Sequence, residues 1–136
     1  MAHGARRGKD TGESDSAARR AAIRAARIAD EMRAGDITVL YVEQQILVTD
    51  YFVIASASSK RQIQAIARDV RDHLVKEAGY PHVHAEGLDG SSWVLIDAGP
   101  VIVHIFREDL RKYYDLELLW GDAPTVDWRE GARTDS

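Results

Sequence analysis

The chain has 136 residues, 45% of them hydrophobic and 29% charged, with a formal net charge of −4 and no cysteine. That length suits one domain around one core. The lack of cysteine excludes disulfides and thiolate metal sites, and no apolar run approaches the ~20 residues of a membrane span.

The charge is uneven: residues 1–33 carry +3, residues 34–99 carry −4 and residues 100–136 carry −3. An acidic body is a poor grip for a phosphate backbone and suits a basic protein partner. The basic start is followed by no apolar segment, so it does not read as a secretory signal, and a cytoplasmic protein is expected. Residues 1–13 (MAHGARRGKDTGE) offer almost nothing to bury and read as a disordered tail. A helix is predicted over residues 15–33, capped by Ser14 or Ser16 and rich in alanine, with Ile23, Ala26, Ile28 and Met32 as its apolar stripe. Gly35 reads as its stop. Arg19, Arg20, Arg24 and Arg27 cover its other side. With no aromatics between them, a solvated face is favoured over RNA contact.

Residues 36–42 (DITVLYV) and 51–56 (YFVIAS) read as strands. Ser59 and Gln62 have capping-box spacing, and a second helix is predicted over residues 60–77. Its apolar positions Ile63, Ile66, Ala67, Val70 and Leu74 follow the helical period, with Gly79 and Pro81 beyond. Residues 82–86 (HVHAE) read as a short strand and residues 93–96 as another. Asp97, Ala98, Gly99 and Pro100 make a turn, and residues 101–106 (VIVHIF) form the last strand. A short helix carrying Tyr113, Tyr114, Leu116, Leu119 and Trp120 closes at Gly121. The expected architecture is a single α/β domain over residues 14–124. It has a five-stranded mixed sheet with helices mainly on one face, an added N-terminal helix, and a flexible tail over residues 125–136.

The search for chemistry returns little. His82, His84 and His104 make a three-imidazole metal site conceivable, but no helical H-x-x-x-H or H-E-x-x-H supports it, and structural or surface histidines are favoured. Metal-dependent nucleotidyl transfer needs two acids at D-x-D spacing on one strand face. Asp69 with Asp72, and Glu86 with Asp89, do not meet that need, and Asp97 ends its strand alone. Thr49, Ser56, Ser58 and Ser59 lack a nucleophile elbow, and there is no glycine-rich phosphate loop. No cofactor and no metal is expected.

What remains is a surface. Period two puts Val101, Val103 and Ile105 on one face of the last strand, as core, and Ile102, His104 and Phe106 on the other. With Trp93, Arg111, Tyr113, Tyr114, Glu117 and Trp120 behind them, these residues read as an apolar-aromatic face edged by charge, the composition of a docking site.

Five sequence blocks stand in order: VTDYFVIASA (48–57) with the helix start at Ser59, Arg61 and Gln62; Ala85-Glu86-Gly87; WVLID (93–97); VIVHIF (101–106); and RKYYDLELLW (111–120). Together they resemble the ribosomal silencing factor family, also called Iojap-like, from about Asp36 to Pro124. Ala57 stands where the family usually has glycine, and Pro100 where it has an acidic residue. The resemblance implies a nucleotidyltransferase-like fold without the catalytic acids, and therefore no enzyme. It implies binding to large-subunit ribosomal protein fourteen and a steric block to subunit joining, which represses translation. It also implies a homodimer when free. Carried over, the partner-binding residues are Trp93, Asp97, His104, Phe106, Arg111, Tyr113, Tyr114, Glu117 and Trp120, with minor rRNA contact open to the basic N-terminal segment. Two other readings stay open from the residues: a metal-dependent nucleotidyltransferase of the same fold, and a module that only dimerises.

Overall fold

The computed structural model describes residues 2–43, 48–90, 92–113 and 122–129, with residues 2–16 and 111–113 described by their backbone alone. The elements run α1 (Ala2–Glu31), β1 (Gly35–Tyr41), β2 (Tyr51–Ala57), α2 (Lys60–Asp72), a π-turn (His73–Glu77), β3 (His84–Glu86), β4 (Trp93–Asp97), β5 (Val101–Arg107) and α3 (Glu108–Tyr113). The sheet is five-stranded and mixed, in the order β1-β2-β5-β4-β3. Only β2 and β5 run parallel, with Tyr51 opposite Val101 and Ala57 opposite Arg107; the other neighbours are antiparallel.

Both main helices lie on one sheet face. The helical stripe of α2 is completely buried there at Ile63, Ile66, Ala67 and Val70, with Leu74 following in the π-turn. The contact made by α1 is mostly alanine: Ala18, Ala21, Ala22, Ala25, Ala26 and Ala29 are all buried, between Ile23 and Ile28. Such small side chains let a helix axis approach a neighbour closely. The facing sheet residues are Val39, Tyr51, Val53, Ala55, Val94, Ile96, Val101, Val103 and Ile105, joined with the helices in one apolar cluster.

Two expectations about α1 change. The helix begins at Ala2, inside the stretch expected to be disordered and well ahead of the expected start near Asp15. Ala2, Ala5, Arg6, Arg7 and Lys9 are good helix formers, and the described burial begins only at Ala18. Its end is set before Gly35. Arg33 takes the left-handed conformation at φ 70°, its N–H donates to the Asp30 carbonyl at 2.9 Å, and the Ala34 N–H donates to the Ala29 carbonyl at 2.9 Å. These paired bonds are a Schellman closure, and Gly35 is left to start β1.

The capping box of α2 is present and does more than cap. The Gln62 N–H donates to Ser59 Oγ at 3.1 Å, while Gln62 Oε1 accepts from the Ser58 N–H at 2.7 Å. The same side chain donates from Nε2 to the Met32 and Arg33 carbonyls at 2.9 and 3.1 Å. One amide therefore satisfies donors at the start of α2 and acceptors at the end of α1.

The C-terminal segment also differs from expectation. Residues 125–129 are not a loose tail. The Val126 N–H donates to the Val39 carbonyl at 2.8 Å and the Tyr41 N–H to the Pro124 carbonyl at 2.9 Å, with a bridge between Leu40 and Thr125. Trp128 is 6% exposed and donates from Nε1 to the Ile37 carbonyl at 3.3 Å. The segment thus covers the outer edge of β1, which would otherwise present unpaired backbone groups. A single tryptophan in a polar tail understated this anchoring.

Candidate functional site

The site is built on the sheet face away from α1 and α2. Strand pairing fixes which side chains share it, because period two carries every second residue to the same side. Across the sheet, Phe52 stands beside Ile102, then Asp97, then His84. One row along, Ile54 stands beside His104, then Leu95, then Glu86. In the next row Ser56, Phe106 and Trp93 align. Four of the expected binding residues, Trp93, Asp97, His104 and Phe106, are therefore brought together on one face. α3 leaves the end of β5 directly and carries Arg111 and Tyr113 in its backbone. Tyr114, Glu117 and Trp120 lie outside the described residues.

The depth of these residues corrects the sequence expectation. Ile102, His104 and Phe106 were expected to form a surface, yet Phe106 is 0% exposed and His104 6%. A second apolar cluster covers them, made of Leu40, Val42, Phe52, Ile54, Phe106 and Ala123, with Ile102 and Leu110 packed against it. The signal was present in YFVIASA, every residue of which is buried in β2. A continuous apolar run marks a strand covered on both faces.

Trp93 is the part that reaches solvent, at 38% exposure. Its indole stacks on Phe106 at 4.8 Å between ring centroids and 28° between planes. Its Nε1–H donates to His104 Nδ1 at 3.3 Å. His104 in turn meets Phe52 edge-on at 5.0 Å. The outcome is an aromatic stack in which His104 and Phe106 form a floor that fixes Trp93, while Leu95, Asp97 and Ile102 are half-buried around it. Asp97 accepts the Gly99 N–H at 2.8 Å through Oδ1, holding the β4–β5 turn in which Gly99 has φ 99°. Beyond Phe106, Arg107 makes a two-bond ion pair with Asp109, Nε to Oδ1 at 2.9 Å and Nη2 to Oδ2 at 3.0 Å. That pair raises the Arg107 pKa and lowers that of Asp109, and Asp109 also accepts the Leu110 N–H at 3.0 Å, shaping the first turn of α3.

His104 is neutral in this setting. Nδ1 accepts from the indole, so Nε2 carries the hydrogen, and Nε2 has no hydrogen-bond partner among the described residues. Burial pushes its pKa down from 6.5 to about 4. The folded chain then binds fewer protons than the unfolded chain between those values. Stability present above pH 6.5 is expected to be lost as pH falls through 4, by about 3 kcal/mol at 1.36 kcal/mol per unit. Urea midpoints measured at pH 7 and pH 4 check this, with His104→Phe expected to flatten the difference.

The other histidines do not join His104. His82 and His84 are exposed, and His84 Nε2 lies 3.1 Å from Glu86. No group of three or more histidines and acids that could hold a metal occurs among the described residues, and no described helix is long and apolar enough to cross a membrane. Sequence reasoning passed over His73, which is 7% exposed and wedged against α1. Its Nδ1 is 2.7 Å from Glu77 and its Nε2 is 3.3 Å from the Ala21 carbonyl.

The fold and this face define an α/β domain with one sheet surface packed by helices and the other ending in an aromatic platform. The chain matches, over residues 15–136, the family described as "Ribosomal silencing factor during starvation". It is 48% identical over 103 residues to ribosomal silencing factor RsfS of Bacillus subtilis (strain 168), covering 76% of this chain and 86% of that protein. It is 37% identical over 90 residues to mitochondrial assembly of ribosomal large subunit protein 1 of Mus musculus, covering 64% of this chain and 39% of that protein. A crystal structure of a Chromobacterium violaceum protein superposes with a TM-score of 0.67 at 37% identity, covering 71% of this chain and 80% of that one. The chain belongs to the ribosomal silencing factor family.

Proposed function

We propose that this protein docks on the large ribosomal subunit at ribosomal protein fourteen and blocks joining of the small subunit by occupying the joining surface. Translation falls as the bound fraction rises, by mass action. The observation that carries the reading is the aromatic platform: Trp93, stacked on Phe106 and hydrogen-bonded to His104, stands where the sheet face runs into α3. A rigid aromatic at the centre of a polar rim is the usual form of an interface anchor. The large-subunit assignment is supported by the name of the mouse relative, mitochondrial assembly of ribosomal large subunit protein 1. The −4 charge of the chain favours a basic protein surface.

In this reading Trp93, Asp97, Arg111, Tyr113, Tyr114, Glu117 and Trp120 meet the partner. His104 and Phe106 act from beneath, by holding Trp93. No catalysis is needed, because a domain some 30 Å across excludes the other subunit by bulk. The protein works in the cytoplasm, covers its aromatic face by dimerising when free, and touches rRNA only through its basic N-terminal segment. Sucrose-gradient sedimentation of purified subunits tests the reading. The expected result is migration with the large subunit alone and fewer joined ribosomes. A protein that stays at the top of the gradient while joining proceeds would overturn it.

A further inference from the structure

On the opposite side of the sheet from Trp93, a cleft of about 360 Å³ opens between α1 and the π-turn. Its volume falls in the range of small-molecule sites, roughly 300–1,000 Å³. Arg20, Arg24 and Arg27 line one wall; His73, Glu77 and Tyr80 line the other. The spacing puts the three arginines along one side of α1, with about 10 Å of helix axis between the first and the last. The opposite wall depends on the π-turn, a feature that often accompanies functional sites. The Ala78 N–H bonds back five residues to the His73 carbonyl at 2.9 Å. The widened turn sets His73 against the Ala21 carbonyl and Glu77 within 3.8 Å of Arg24. Among the described residues, no ion pair engages Arg20 or Arg27. The lining is therefore positive overall; Glu77 is its one carboxylate and stands where an anion would sit, while Glu31, just outside, lies 3.7 Å from the other side of Arg24. Ile23, Ala78 and the Tyr80 ring give it an apolar part as well.

We propose that this cleft binds a nucleotide bearing two adjacent phosphates, with the phosphates on the arginine row and the base against Tyr80. Arginine forks suit phosphate oxygens, three of them in a row span a diphosphate, and a half-buried tyrosine beside alanine and isoleucine offers a base a flat apolar wall. A bare anion leaves that wall unused. A long nucleic acid fits poorly in a concave site on an acidic chain. Glu77 acts as an internal competitor, holding His73 and sharing Arg24 with Glu31 until phosphate replaces it.

Isothermal titration of the full chain with ADP, GDP, inorganic pyrophosphate and a short single-stranded RNA tests this, with circular dichroism confirming that each variant is folded. ADP or GDP is expected to bind, and Arg20→Ala with Arg27→Ala to weaken binding roughly tenfold or more, as loss of charge-assisted hydrogen bonds requires. Glu77→Gln is expected to tighten it severalfold, a sign that damage to the fold does not produce. Tyr80→Leu should remove the preference for nucleotide over pyrophosphate. The proposal is overturned if millimolar nucleotide does not bind the folded chain or if binding ignores the arginines. Equal affinity for pyrophosphate, or tighter RNA binding through the same arginines, overturns the nucleotide assignment. Trp93→Ala should leave nucleotide binding unchanged, which separates this site from the docking face and lets either fail alone.

Discussion

Phe106→Ala is expected to destabilise the fold by about 4 kcal/mol, in line with removal of a buried phenyl ring and the cavity it leaves. Phe106 is 0% exposed and sits in the smaller of the two apolar clusters, with Phe52, Ile54, Leu40, Val42 and Ala123. A cluster that small has few neighbours to move into the void, so relaxation recovers little. Trp93 also loses the ring on which it stacks at 4.8 Å, a contact worth up to about 1.5 kcal/mol beyond its buried area. Thermal unfolding is expected at a midpoint roughly 10–20 °C below that of the parent. Phe106→Leu keeps most of the volume and should cost under about 1.5 kcal/mol. If Phe106→Ala unfolds at the parent midpoint, the second cluster is not a core and the sheet face is open, as the sequence alone suggested.

That contrast shows where sequence pattern carries structure and where it stops. The helical period of Ile63, Ile66, Ala67 and Val70 placed the buried stripe of α2 correctly, because one face against one sheet is a local property, while Leu74, expected in the same helix, is buried in the π-turn that follows Asp72. The strand period put Val101, Val103 and Ile105 in the main core for the same reason. The depth of His104 and Phe106 was not local. It depends on Phe52 and Ile54 arriving by a parallel pairing across some fifty residues of chain, and on Ala123 returning to the same cluster. Likewise the Ser59–Gln62 capping box was legible in four residues, but the bonds from Gln62 to the Met32 and Arg33 carbonyls were not. The end of α1 was assigned to Gly35 on residue type, while the chain closes its helix with Arg33 at φ 70°, two bonds to Asp30 and Ala29 carbonyls holding it there. Of the candidate site, the tryptophan, histidine and phenylalanine were legible as one group. Their division into one exposed anchor and a buried floor was not.

The division bears on the proposed docking. A surface tryptophan loses rotamer freedom when it binds, and that loss weakens association. Here the indole is already held, stacked on Phe106 and bonded to His104 at 3.3 Å. The ordering cost is met on folding, so in the proposed docking the contact with a partner would retain more of its free energy.

Trp93→Ala is therefore expected to weaken large-subunit binding by about 100-fold, the effect of losing a 2–3 kcal/mol anchor, while costing about 1–2 kcal/mol of stability through the lost stack on Phe106 and bond to His104, less than Phe106→Ala because the residue is 38% exposed. The measurement is the affinity of the purified protein for isolated large subunits, by titration of a labelled chain. Two further variants separate the indole's roles. Trp93→Phe keeps a ring over Phe106 and loses the hydrogen bond to His104, and its binding should fall between parent and Trp93→Ala. His104→Phe keeps Trp93 but leaves its Nε1–H without the imidazole acceptor, so binding should weaken by about tenfold although His104 itself is 6% exposed. A residue that merely sat in the core would change midpoint and not affinity. If Trp93→Ala binds as the parent does while remaining folded, the platform is not the docking centre, and the contact must rest on the residues that follow α3 alone. If it loses binding and His104→Phe does not, Trp93 acts as an anchor without the floor beneath it, and the apolar cluster serves stability only.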